Sequence, residues 1–239
     1  MAPPADVVDL LSRGGTAWRT AQGVSRHWRN QPLVVRAFDE YFGRLEAAER
    51  VVWTVTVTRD DDAGEPDVVI ETVLAFALDR LGHRRRVELL GWKGEELRAD
   101  LVVIDGDSFW ARTGEQVQTN GGNPHHGHGG TEAADLLQPA LVPSLFHLQP
   151  YDDEQLVAGR ACWPVRARRR DNPAPEHQGR PDPFGMIAGG QDFCLFVDAA
   201  TGVLLRVVKL VAGDVAELCE FTELAFDEPF ADGLFQPLS

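Results

Sequence analysis

Three histidines within four positions could hold a metal ion. They are His125, His126 and His128, in the stretch Asn123-Pro124-His125-His126-Gly127-His128-Gly129-Gly130. Zinc takes three or four nitrogen, sulfur or oxygen ligands in a tetrahedral array. In an extended segment His126 and His128 project to one face and His125 to the other, so the stretch offers two ligands at once. A closed site then needs others from elsewhere, such as His147, Glu132 or Asp135. Nothing in the spacing demands them, and the flanking glycines make the segment costly to order. The expectation is a pliant loop in a hairpin connection, with a metal site at His126 and His128 as the alternative and no cofactor required. A loop of this kind beside a cavity mouth could serve as a lid or a pH-sensitive gate.

Other chemistry is sparse. The chain has no G-x-S-x-G elbow, no phosphate-binding glycine pattern and no H-E-x-x-H. The run Asp60-Asp61-Asp62 lacks the spacing and closing glutamate of a calcium loop and reads as a turn. Cys162, Cys194 and Cys219 are widely spaced in apolar runs, which suits small buried hydrophobes in a reducing compartment. An enzyme that cyclises or isomerises an apolar substrate can work with one polar group, and His147 or Asp107 would be that acid or base. The leading expectation is a protein without catalysis.

The totals narrow the class further. The chain has 239 residues, 44% hydrophobic and 25% charged, enough for one folded domain over residues 1–239. A net charge of −14 repels phosphate backbones and argues against nucleic acid. No apolar run reaches the ~18 residues of a spanning helix, and the N-terminus has neither a basic nor a long apolar region. The expectation is a cytoplasmic protein with no transmembrane segment.

The elements that would position any site follow from periodicity. Val7, Val8, Leu10 and Leu11 suggest a short helix, and Leu33, Val34, Ala37, Phe38, Tyr41, Phe42 and Leu45 recur at helical spacing, giving a helical region over about 4–48. From residue 51 the period becomes two, with strands at 51–58, 68–78, 84–90 and 101–112, the last turning at Asp105-Gly106. A loop is expected over 113–130. Residues 131–147 read as helical pieces broken by Pro139 and Pro143. Strands return at 160–170, 191–197, 203–211 and 215–226, with a Pro/Gly-rich loop over 171–190. The economical architecture is α+β: a single curved antiparallel sheet, an incomplete β-barrel, with helices packed on its concave side.

Several motifs then fall in a telling order. Residues 193–206 form a strand, an Asp198-Ala199-Ala200-Thr201-Gly202 turn and a returning strand. Glu220-Phe221-Thr222-Glu223-Leu224-Ala225-Phe226 and Asp232-Gly233-Leu234-Phe235-Gln236-Pro237 follow. Earlier lie Asp105-Gly106-Asp107-Ser108-Phe109-Trp110 and Gly159-Arg160-Ala161-Cys162-Trp163-Pro164-Val165. This succession resembles the lipoprotein-carrier superfamily typified by LolA, LolB and the sigma-factor regulator RseB. The resemblance implies an incomplete barrel around helices, with an apolar concavity that holds acyl chains. Members are typically exported, so without a visible export signal what carries over is a cytoplasmic binder of a small hydrophobic ligand. Trp53, Val55, Trp110, Phe146, Trp163 and Phe193 are the residues expected to line the concavity. A regulatory role with a protein partner, as in RseB-like members, is a further alternative.

Overall fold

The computed structural model describes residues 7–49, 69–93, 100–121, 131–170 and 192–236. Among these residues twelve strands form one sheet, and every pairing between them is antiparallel. The strands are β1 Thr20–Asn30, β2 Val69–Asp79, β3 Arg84–Lys93, β4 Leu101–Asp105, β5 Ser108–Thr113, β6 Gln116–Gly121, β7 Phe146–Pro150, β8 Gln155–Val157, β9 Arg160–Arg169, β10 Asp192–Asp198, β11 Leu204–Val211 and β12 Asp214–Phe226. The order is β6-β5-β4-β3-β2-β1-β12-β11-β10-β9-β7, with β8 also on β9. Two meanders thus meet where the first strand joins the last, and the curved sheet stays open between β6 and β7.

β1 is the strand that periodicity does not reveal. The two helices expected within 4–48 are present as α1 Val7–Gly14 and α2 Gln31–Glu49, and the unexpected element is the strand β1 between them. The strand Thr-Ala-Gln-Gly-Val-Ser-Arg-His-Trp-Arg-Asn carries polar groups on both faces, so it shows no apolar stripe. Its stability comes from pairing on both sides: eleven positions match β2, and Ala21 to Arg29 match β12. Val8, expected inward, is 41% exposed, while Val7 and Leu11 are buried. The loop expected from 113 loses its first part to β6. Pro139 and Pro143 divide the next segment into α3 Thr131–Leu136, a 3₁₀ turn Pro139–Leu141 and α4 Val142–Leu145, after which β7 begins at Phe146. The strand expected at 51–58 lies outside the described residues.

The core sits between the concave face and the helices. Leu74, Phe76, Phe193, Leu195, Val207 and Phe221 face α1, α3 and α4, whose Leu11, Leu136 and Val142 are fully buried. Two edge-on or tilted aromatic pairs, Phe76–Phe221 at 5.2 Å and Phe146–Phe193 at 5.3 Å between centroids, add to that burial. α2 covers the same face where β1 leaves the sheet, packing Val34 and Ala37 on Val211 and Ala216.

The Asp-x-x-Thr-Gly turn fastens α1 to the sheet. Asp198 Oδ1 accepts from the backbone N–H groups of Ala200 and Thr201, at 2.8 and 2.9 Å, while Oδ2 accepts from Arg160 Nε. Gly202 has φ +79°, and a Cβ there would stand 2.0 Å from the Leu10 carbonyl oxygen. Only glycine permits both that conformation and that approach.

Candidate functional site

The concave face gathers part of the expected lining and not all of it. Phe146, Trp163 and Phe193 are each at most 2% exposed. Strand register places Phe193 opposite Ala167 and Trp163 opposite Val197, so both rings project to the helix-covered side. Trp110 does not join them. Its cross-strand row runs through Val103, Arg86 and Ala77, and its ring packs beside Phe230, Leu234 and Phe235 on the outer face. The physical reason is parity: within the 101–112 hairpin, a one-residue step exchanges faces. Trp53 and Val55 lie outside the described residues.

The residues weighed for chemistry are scattered. Asp107 is exposed in the turn between β4 and β5, and His147 is exposed on β7, near the opposite edge of the sheet. His126 and His128 lie outside the described residues, and among the described residues no group of three or more His, Cys, Asp or Glu could hold a metal ion. Ser144 Oγ donates to the Leu141 carbonyl at 2.7 Å, a local helical contact. All three cysteines are free thiols, and burial pushes Cys162 up to about 11.

A buried polar group lies beneath α2. Lys209 has no exposed surface, and its Nζ donates to Glu217 Oε2 at 3.3 Å. The other carboxylate oxygen meets His27 Nε2 at 2.7 Å, and the Lys209 ammonium sits 5.3 Å from the Phe38 ring centroid. Periodicity missed this cluster because Lys209 interrupts an apolar run, and only the register assigns it inward.

Sequence reasoning also missed an open groove of about 530 Å³ on the outer face. Two cross-strand rows make its floor: Ala225, Gln22, Ala77 and Arg86, and beside them Glu223, Val24, Ala75 and Glu88. Leu234 and Glu228, from the segment after β12, form one side. Arg86 is tied to the Leu234 carbonyl at 3.3 Å and to Glu88 Oε2 at 3.0 Å. The signal in sequence is β2 itself, apolar on both faces through Val73, Ala75 and Ala77, which marks a strand covered on both sides. Next to the groove, Glu220 bonds Arg206 at 2.6 Å and Arg26 at 3.4 Å. The hydrogen bond to Glu71 opposes the effect of burial and raises the Arg26 pKa.

No family model and no curated protein matches the sequence. Solved structures do match in fold. A chain of the Pseudomonas aeruginosa MucA/MucB complex is 20% identical with a TM-score of 0.51, over 98% of this chain and 61% of that one. This protein therefore spans less than two thirds of that chain's length. LprF from Mycobacterium bovis is 10% identical over 97% of both chains, with a TM-score of 0.48. A LolA superfamily protein from Nitrosomonas europaea is 10% identical, over 97% of this chain and 96% of that one, with a TM-score of 0.34. No helix among the described residues is long and apolar enough to cross a membrane. At 20% identity the likeness to the MucA/MucB chain is one of fold alone.

Proposed function

We propose that this chain is a non-enzymatic binder of a small hydrophobic molecule, a lipid, acyl chain or polyketide-like metabolite, held against the concave face. The observation carrying the reading is the mismatch between that face and its cover. On that face Leu74, Phe76, Phe193, Leu195, Val207 and Phe221 belong to one apolar, partly aromatic cluster, to which β1 adds Ala21. Part of its cover is a set of short, proline-broken pieces over residues 131–145 that contributes Leu136, Leu137 and Val142. A hydrogen bond from Trp18 Nε1 to the Leu137 carbonyl, at 3.4 Å, joins that cover to the segment preceding β1. An acyl chain of similar volume can replace those side chains on the aromatic floor with little change in apolar contact. Phe146, Trp163 and Phe193 are the proposed lining. The three free cysteines support a reducing, cytoplasmic compartment.

A protein partner is the second reading. The observation favouring it is the charged groove on the outer face, and the MucA/MucB complex supports partner binding on this kind of scaffold.

Native mass spectrometry of the purified protein, followed by solvent extraction and metal analysis, tests the first reading. A stoichiometric apolar ligand, lost in Trp163→Ala or Phe193→Ala while the protein stays folded, is the expected result. An empty protein carrying one zinc per chain, released by His126→Ala or His128→Ala, would overturn it.

A further inference from the structure

We infer that the outer-face groove receives an extended peptide segment of a partner protein, with two cationic side chains four residues apart flanking a small one. The inference rests on the protein-partner reading and is independent of the carrier reading.

The groove runs across four strands, and its chemistry is asymmetric. In the row Glu223, Val24, Ala75, Glu88, carboxylates stand at both ends and small apolar side chains lie between. Neighbouring strands are about 4.8 Å apart, so the three steps from β12 to β3 separate the row's ends by about 14 Å. An extended peptide advances about 3.4 Å per residue, so positions i and i+4 are also about 14 Å apart and project to one face. Position i+2 points the same way and meets Ala75 and Val24, where only a small or modest aliphatic side chain fits. The match in span selects the spacing.

Charge selects the sign. Three carboxylates, Glu88, Glu223 and Glu228, border the groove against one guanidinium, Arg86, which pairs with Glu88 Oε2 and the Leu234 carbonyl, so the groove carries a surplus of two negative charges. Glu228 also accepts from Gln22 Nε2 at 3.4 Å across the groove wall. With a chain charge of −14, long-range attraction also favours a cationic segment. Anionic lipid surfaces and nucleic acids are disfavoured by the same charges. The alanine floor provides too little apolar area for an acyl chain.

The test uses the full chain and a fluorescein-labelled peptide, Lys-Thr-Ala-Thr-Lys with glycine flanks, titrated by fluorescence anisotropy at about 50 mM salt. A peptide of the same composition with its two lysines adjacent is the spacing control. Three variants are compared, each checked for an unchanged melting temperature: Glu88→Gln/Glu223→Gln, Ala75→Leu, and Asp152→Asn/Asp153→Asn. The last removes the same charge from an exposed turn between β7 and β8. Expected is saturable binding, weakened about three- to tenfold in Glu88→Gln/Glu223→Gln and in the adjacent-lysine peptide. Ala75→Leu should weaken it as well, and Asp152→Asn/Asp153→Asn should leave it within about twofold. Equal weakening by the two double variants would overturn the groove as the site while leaving a protein-partner role intact. Absence of saturation by roughly 1 mM would overturn the segment chemistry itself.

Discussion

Glu217→Gln probes how α2 closes the concave face. One carboxylate answers two buried groups, His27 at 2.7 Å and Lys209 at 3.3 Å, and Lys209 has no exposed surface. Opposite charges at that separation attract by about 5 kcal/mol at an effective dielectric near 20. Removing each ion from water costs several kcal/mol, so the intact pair is close to break-even. Deleting one partner of a buried ion pair typically costs about 3–5 kcal/mol. Glutamine keeps the shape and an acceptor for His27, so the loss reports charge. The expected outcome in urea unfolding is a midpoint shift equivalent to roughly 3 kcal/mol with an unchanged slope. Adding Lys209→Met should restore most of it, because a straight apolar side chain fills the same space beside Phe38. A Glu217→Gln loss under about 1 kcal/mol, or a double variant no more stable than Glu217→Gln, would refute the reasoning. Lys209 would then reach water, and α2 would not seal this end.

Three further outcomes follow from local chemistry. Burial pushes the Cys162 thiol up to about 11, so the folded state holds that proton after the unfolded thiol, near 9, has lost it. Its contribution to stability is complete below pH 9 and lost as pH rises toward 11; the alkaline limb of a pH–melting curve should flatten in Cys162→Ala. Gly202→Ala should cost about 3 kcal/mol or more, measured by chemical denaturation, since it combines a left-handed residue with a clash at the Leu10 carbonyl. Backbone N–H donors from Thr20, then Arg19, hold the Asp227 carboxyl below its usual range. That contribution is present above the ordinary carboxylate pKa and lost as pH falls through the folded value. A carbon-detected NMR titration should place its midpoint below 3.8, and an unshifted midpoint would deny the capping role.

Much of the fold was legible because local pattern and global packing agree. The alternation in 68–78 and 203–211, the turn glycines at 106 and 202, and the proline breaks at 139 and 143 all correspond to described elements. The hidden element, β1, has no apolar face to announce it; the backbone ladders on both sides hold it. The site was less legible for a related reason. Phe146, Trp163 and Phe193 share the concave face because their strands share a register, whereas Trp110 falls on the outer face by parity. The groove joins Gln22, Ala75, Glu88 and Glu223 from four strands, and no local window contains more than a fragment of it.

By itself the sequence determined several of the strands, among them those at 68–78, 160–170, 203–211 and 215–226, two of the turns that require glycine, and a net charge of −14. Those are local consequences of backbone sterics, side-chain period and summed charge. The tertiary structure alone decided that the first strand joins the last, that Lys209 and His27 are buried around one carboxylate, and that an alanine-floored groove opens on the outer face. Those depend on which strands pair and in what register, and pairing is set by the total burial of the sheet against its helices.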